Sequence, residues 1–197
     1  MKRGFDFLVS LISIVILSPL MMVTAILIKI TSKGPVLFKQ TRIGKNNVEF
    51  NIYKFRTMRV ETPNVATHLL SNTDSFYTPI GKQMRSVSLD ELPQLFNILK
   101  GEMSLVGPRP ALYNQYDLKE MRTNVNVHKL MPGLTGWAQI NGRDELTLED
   151  KVRRDEEYME MQSFFMDMKI IFQTALKVIV RHGIQEGEKE DNNEVTL

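Results

Sequence analysis

The sequence predicts an α+β, mostly helical chain. Its parts are an N-terminal re-entrant membrane helix-break-helix, one small β-hairpin and amphipathic interfacial helices. Three observations predict it. Phe7 to Ile28 is a run of 22 residues without a charge, interrupted by Ser18-Pro19 and flanked by Lys and Arg on both sides. A single stretch alternates with period two, around the turn cluster Gly44-Lys45-Asn46-Asn47. Apolar residues elsewhere recur at helical spacing, as at Leu92, Leu95, Phe96 and Leu99.

The N-terminal run is long enough to be a membrane segment and apolar all round, unlike the stripe of a soluble helix. It is too long for the apolar part of a signal peptide, and no small-x-small cleavage site follows it. Pro19 removes a backbone donor and clashes with the preceding turn, so a kink or break is expected at Ser18-Pro19. Phe7 to Leu17 gives roughly 16 Å of helix, about half the hydrocarbon thickness. Lys2 and Arg3 precede the run; Lys29, Lys33, Lys39, Arg42 and Lys45 follow it. Basic flanks on both sides favour entry and exit by one face, and a single kinked span is the alternative.

Residues 31–184 are read as a cytosolic or interfacial catalytic domain, after a membrane-inserted re-entrant helix over 1–30. Ser32-Lys33-Gly34-Pro35 forms a turn, Val36-Leu37-Phe38 starts a strand, and Val48, Phe50 and Ile52 alternate with polar neighbours in a second. Residues 61–80 read as a loop with one short helix. Ser88 can cap a helix that Gly101 ends, and Pro93 then has to lie in its first turn. Gly107-Pro108-Arg109-Pro110 holds the chain extended. Residues 111–130 read as a helix, Trp137 to Ile140 as a short strand, and Thr147-x-x-Asp150 as the cap of a charged helix reaching about Met161. The last helix carries Met168, Ile171, Phe172, Ala175, Leu176, Ile179 and Val180 on one face. That stripe fits core packing or a helix lying on a membrane. Residues 185–197 are polar and acidic and are expected to be a disordered tail.

Composition narrows the chemistry. The 197 residues contain no Cys, which excludes disulfides, Cys-ligated metal and thiol nucleophiles. Twenty-five basic residues stand against 23 acidic, too even a balance to argue for nucleic acid. Walker, dinucleotide-binding and nucleophile-elbow motifs are absent, and His68, His128 and His182 match no metal spacing. The pair Asp90-Glu91 has two readings. Ser88-x-x-Glu91 is a capping box, and Asp90 suits the first turn of a helix. The alternative is chemistry, because cations crowd the same segments: Lys54 and Arg56 after the hairpin, Arg85 just before the pair, Arg109 and Arg143 in loops stiffened by Gly and Pro. Paired carboxylates with Arg suit a divalent metal and a phosphate together.

Blocks in fixed order then carry a resemblance. They are Lys2-Arg3-x-Phe5-Asp6, Gly34-Pro35-Val36-Leu37-Phe38-x-Gln40-x-Arg42-x-Gly44, Lys54-Phe55-Arg56-Thr57-Met58 and Arg85-x-x-Ser88-Leu89-Asp90-Glu91-Leu92-Pro93-Gln94. They continue through Met103 to Pro110, Pro132 to Gln139, Asn141-Gly142-Arg143, and Asp155, Tyr158 and Asp167. The chain resembles the bacterial sugar transferases, small monotopic phosphoglycosyl transferases acting on polyprenyl phosphate. Glu102 and Leu148 depart from the usual Asp and aromatic residue.

The resemblance implies transfer of a sugar 1-phosphate from a UDP-sugar to undecaprenyl phosphate, with release of UMP, at the cytoplasmic face of the bacterial inner membrane. It implies Asp90 as nucleophile, forming a phosphosugar-aspartate, and Mg²⁺ held at Asp90 and Glu91. Arg85, Arg109, Arg143, Lys54 and Arg56 are the expected phosphate-binding residues, and Ser18 and Pro19 the membrane break. No nucleic-acid partner is expected, and a homodimer is left open. A non-catalytic membrane-anchored scaffold, with Asp90-Glu91 as a mere cap, is the competing reading.

Overall fold

A computed structural model describes residues 2–62, 73–142 and 145–180. The described residues are mostly helical, with two small two-stranded sheets among them. Helix α1 spans Lys2–Thr31, and strands β1 (Leu37–Ile43) and β2 (Glu49–Phe55) form the hairpin. Helices α2 (Gly81–Ser86) and α3 (Gln94–Lys100) follow, then β3 (Ser104–Val106) and α4 (Tyr116–Asn124). Strand β4 (Gly133–Thr135), the single turn α5 (Trp137–Ile140), α6 (Leu148–Met161) and α7 (Phe164–Val180) complete it.

The expected break at Ser18-Pro19 is not a break in the helix: α1 continues through Pro19. The reason is local. Pro19 cannot donate to the carbonyl of Val15 four residues back, and the Ser18 hydroxyl donates to that same carbonyl at 2.8 Å. Ser18 thus repairs the vacancy that Pro19 opens.

One stripe of α1 lies on the domain along its whole length: Asp6, Ser10, Met21, Thr24 and Ile28 are buried. The opposite side exposes Phe7, Leu11, Val15, Met22, Ile26 and Ile30. Both ends are tied down. Lys2 pairs with Asp167 at 2.5 Å, and Arg3 donates to the carbonyls of Ile98 and Leu99 at the end of α3. At the other end, Arg56 grips the chain leaving the helix through Ser32, Lys33 and Pro35.

The hairpin is as expected, antiparallel from Leu37 opposite Phe55 to Ile43 opposite Glu49. Asn46 and Asn47 take positive φ in its turn, a conformation Asn tolerates. The second sheet is a parallel pair, Ser104 opposite Gly133 and Val106 opposite Thr135. It corrects the expectation of a strand at Trp137–Ile140, which is one helical turn; the extended residues are Gly133–Thr135. The expected helix over 111–130 shortens to Tyr116–Asn124 plus a 3-10 turn, Val127–Lys129, because Asn126 turns the chain with φ 64°. Thr147 caps α6 as expected, accepting from the Asp150 amide.

The main core joins Ile52, Leu95, Ile98, Met103, Val106, Tyr158 and Ile170. The apolar stripe expected on helix α7 is divided: Ile171 packs against the main core, whereas Phe172 and Leu176 are exposed. The deeply buried side of the helix holds Asp167 and Ile170, while Phe172 (65% exposed), Phe165 and Leu176 point outward. Several large apolar side chains of α7 are thus exposed, a pattern that fits a contact surface.

Candidate active site

Asp90 and Glu91 lie in a 3-10 turn, Leu89–Glu91, ahead of α3. The capping-box reading fails here. Ser88 has φ 55°, makes no side-chain capping bond, and α3 starts only after Pro93. Gly101, with φ 88°, ends α3 as the sequence indicates. A left-handed Ser88 stores roughly 1 kcal/mol of backbone strain or more. Leu89 and Leu92, on either side of the pair, pack with Met21 and Ile28 of α1, Phe55 of β2 and Met84 of α2. The turn that carries the two carboxylates is therefore seated, through these leucines, against the C-terminal half of the apolar helix.

Glu91 is the hub of the site. Its Oε1 accepts from Lys54 Nζ at 2.7 Å and from Arg109 Nη2 at 3.0 Å. Lys54 comes from β2, opposite Phe38; Arg109 comes from the rigid Gly107–Pro110 loop. Burial pushes the Lys54 ammonium below its ordinary value, and Glu91 pulls it back. Asp90 differs. It is 7% exposed, and no described residue donates a hydrogen bond to it. Burial raises its carboxyl above the ordinary range, Lys54 opposes this, Glu91 adds to it, and Arg85 and Arg109 oppose it. The outcome is a desolvated carboxylate facing three cations with none in direct contact.

The expected phosphate-binding residues divide. Lys54 and Arg109 meet at Glu91, and Arg85 lies within electrostatic range of Asp90, stacked 5.7 Å from the Tyr77 ring. Arg56 does not join them. It is 5% exposed, and its Nε, Nη1 and Nη2 donate to Pro35 O, Lys33 O, Ser32 O and Ser32 Oγ. Its place is explained by the carbonyls left after α1, not by an anion. Arg143 lies outside the described residues, as do His68, His182 and the tail 185–197.

Arg42 enters the site without having been singled out from the other cations. Its Nε and Nη2 donate to Gln40 Oε1 at 3.0 and 2.6 Å, and its Nη1 to Pro110 O at 3.1 Å. Burial and the neighbouring Arg109 both lower its guanidinium from the ordinary value, with Glu91 opposing. The signal was the i, i+2 spacing of Gln40 and Arg42, which puts both on one face of β1.

Among the described residues there is no cluster of three or more His, Cys, Asp or Glu that could cage a metal. Two adjacent carboxylates remain. That set suits Mg²⁺, which keeps several waters and takes one or two carboxylates plus substrate phosphates. Among the described residues none donates to Asp90, so its oxygens are not committed to a hydrogen bond there.

The description "Bacterial sugar transferase" belongs to a family whose profile matches residues 1–181. The chain is 47% identical over 189 residues to an undecaprenyl-phosphate glucose phosphotransferase of Komagataeibacter xylinus, covering 90% of this chain and 36% of that protein. It is 40% identical over 188 residues to a UDP-N-acetylgalactosamine-undecaprenyl-phosphate N-acetylgalactosaminephosphotransferase of Aeromonas hydrophila, covering 92% of this chain and 44% of that one. It is also 40% identical over 186 residues to the uncharacterized sugar transferase EpsL of Bacillus subtilis, covering 94% and 91%. The chain thus spans less than half of the first two relatives and nearly all of the third.

Proposed function

The chain belongs to the bacterial sugar transferase family, and from that membership we propose that it transfers a sugar 1-phosphate from a UDP-sugar to undecaprenyl phosphate, releasing UMP. The observation that carries the reading is Asp90: a buried carboxylate to which no described residue donates a hydrogen bond, beside Lys54, Arg109 and Arg85, on a turn seated against an apolar helix. A carboxylate serving only as a cap would be bonded to backbone amides.

In the first step an Asp90 oxygen attacks the phosphorus that bears the sugar. A new P–O bond forms to Asp90, the bond to the UMP oxygen breaks, and UMP departs with the electron pair. In the second step a phosphate oxygen of undecaprenyl phosphate attacks the same phosphorus, and Asp90 leaves as a carboxylate. Splitting the transfer in two replaces one difficult encounter by two easier ones. An anionic nucleophile is repelled by phosphate oxygens, so their charge has to be met by fixed cations. Arg109 is fixed by its loop, and Lys54 by Glu91. Glu91 acts in this scheme mainly by holding those two cations. Mg²⁺, held at Asp90 and Glu91, would neutralise charge on the diphosphate.

The apolar helix gives the lipid substrate its route. Both ends of α1 bind one domain, through Lys2 and Arg3 at the start and Ser32 at the end. A helix crossing the bilayer would put its ends on opposite sides, so this arrangement supports a re-entrant or in-plane seat. Helices α1 and α7 meet where half-buried Phe5 and exposed Phe164 pack edge to face at 5.4 Å. The proposed location is the cytoplasmic face of the inner membrane, as a monotopic enzyme opening a lipid-linked glycan pathway.

The test is incubation with UDP-sugars alone. One UMP released per enzyme, with sugar phosphate retained on the peptide carrying Asp90, is the expected result. UMP released only when undecaprenyl phosphate is present, with no label on the protein, would replace the aspartyl intermediate by direct transfer.

A further inference from the structure

The loop that carries Arg109 is held at every carbonyl from Pro108 to Ala111. Pro108 O accepts from Gly133 N at 2.9 Å, and Ala111 O from Ile43 N at 2.9 Å. The two between are held by arginine side chains. Arg109 O accepts from Arg122 Nη1 at 2.8 Å, and Pro110 O from Arg42 Nη1 at 3.1 Å. The two arginines are used alike. Each spends Nε and Nη2 on one side-chain oxygen, Asp155 Oδ2 for Arg122 and Gln40 Oε1 for Arg42. Each has Nη1 aimed at the loop.

Arg42 lies in the site itself, within range of Glu91 and Arg109. Arg122 and Asp155 do not. Arg122 comes from α4 and Asp155 from α6, and Asp155 is only 1% exposed. A buried ion pair contributes little net stability compared with apolar residues of the same volume. Its geometric consequence is specific, because the planar fork fixes Nη1 once Nε and Nη2 are bound. A small cavity flanks the loop on this side, lined by Lys119, Arg122, His128 and Leu130. The loop therefore has room to shift if the clamp loosens.

We infer that Arg122 and Asp155 are positioning residues for the transfer reaction, acting on Arg109 through its backbone carbonyl. The inference rests on the proposed reaction for its activity readout and on the loop alone for its structural one. Misplacing a charge-stabilising group by about 1 Å lowers turnover roughly a hundredfold, and Arg109 reaches Glu91 only as far as its backbone allows.

The test uses R122K, which keeps the charge but lacks the fork, and D155N, which keeps an acceptor oxygen but lacks the charge. Each is made in the wild type and in an R109K background, in the full chain reconstituted in nanodiscs. UMP release from a UDP-sugar and hydrogen exchange of the peptide spanning 104–112 are followed. Turnover should fall tenfold or more in the wild-type background, with a smaller change in KM, and less than twofold further in R109K. Exchange in 104–112 should speed up without substrate. Equal fold-losses in both backgrounds, or turnover and exchange unchanged in both variants, would overturn the inference. Should R122K not fold, D155N alone carries the comparison. If the wild type releases no UMP from any UDP-sugar, the proposed function fails, whereas exchange still decides: protection unchanged in both variants removes the clamp.

Discussion

Replacing Arg56 tests whether a cation in a conspicuous basic segment serves a phosphate or the fold. Its side chain makes four hydrogen bonds to three residues, Ser32, Lys33 and Pro35, at 2.6 to 3.1 Å. A hydrogen bond to a charged group contributes roughly 1.5–3 kcal/mol. Four independent bonds would give at least ~6 kcal/mol, but the segment leaving α1 is partly solvent-accessible and its carbonyls can rehydrate. Arg56→Ala should then cost about 3–5 kcal/mol, and Arg56→Lys, which keeps one or two bonds, about 2–3 kcal/mol. For a chain of this size 1 kcal/mol corresponds to a melting shift of roughly 2–4 °C, so Arg56→Lys should melt about 5–10 °C lower. The single tryptophan, Trp137, gives a clean fluorescence signal for the melt in detergent. KM for the UDP-sugar should change less than twofold at a temperature where the variant is folded. An Arg56→Lys protein that melts like the wild type but shows a KM raised tenfold would refute the structural role and return Arg56 to the phosphate site.

Asp90→Asn should abolish UMP release without lowering stability: a buried carboxylate with no donor among the described residues is itself unfavourable, so the amide should be neutral or stabilising by about 1 kcal/mol at pH 7, read from urea denaturation. The pH dependence follows from the same burial. Asp90 must be ionised to attack, so kcat/KM for UMP release should fall as pH drops through a limb lying above the ordinary Asp range. Glu91→Gln, by removing the neighbouring negative charge, should move the limb of its residual activity to lower pH. Stability has the opposite slope. Between the unfolded and the raised folded pKa only the folded state keeps the Asp90 proton, so this contribution is lost as pH rises through that window, and Asp90→Asn should flatten it. Gly107→Ala would place a Cβ 2.2 Å from Met131 O and 3.0 Å from Gly133 N, both backbone. The β3–β4 pair would have to part, and the urea midpoint should fall by an amount equivalent to roughly 3 kcal/mol.

The sequence was most legible where one local rule settles the structure. Alternation and an Asn turn gave the hairpin, Gly101 the end of α3, and Thr147 the start of α6. It misled where a local rule was overridden from a distance. Ser88-x-x-Glu91 has the spacing of a capping box, yet Glu91 is engaged by Lys54, 37 residues away, and by Arg109, 18 residues away. Lys54 and Arg56 are equivalent as basic residues of one segment. Only the carbonyls left after α1 separate them, and those become visible when helix and hairpin meet. The β3–β4 pair has three residues a side, too few for periodicity to register. At Pro19 the rule for proline was right about the lost donor. The residue beside it changed the outcome.

The way α1 is fastened has a mechanical consequence. A helix of 30 residues, roughly 45 Å long, is pinned to one body at both ends and along one side. It has no freedom to slide along its axis or to roll. In the proposed membrane seat, any change in bilayer thickness or lateral pressure is transmitted to the domain as tilt or heave of the whole molecule. The helix then works as a keel: the height of Asp90 above the acyl chains, and hence its reach to a lipid phosphate, is set by the draught at which the protein floats.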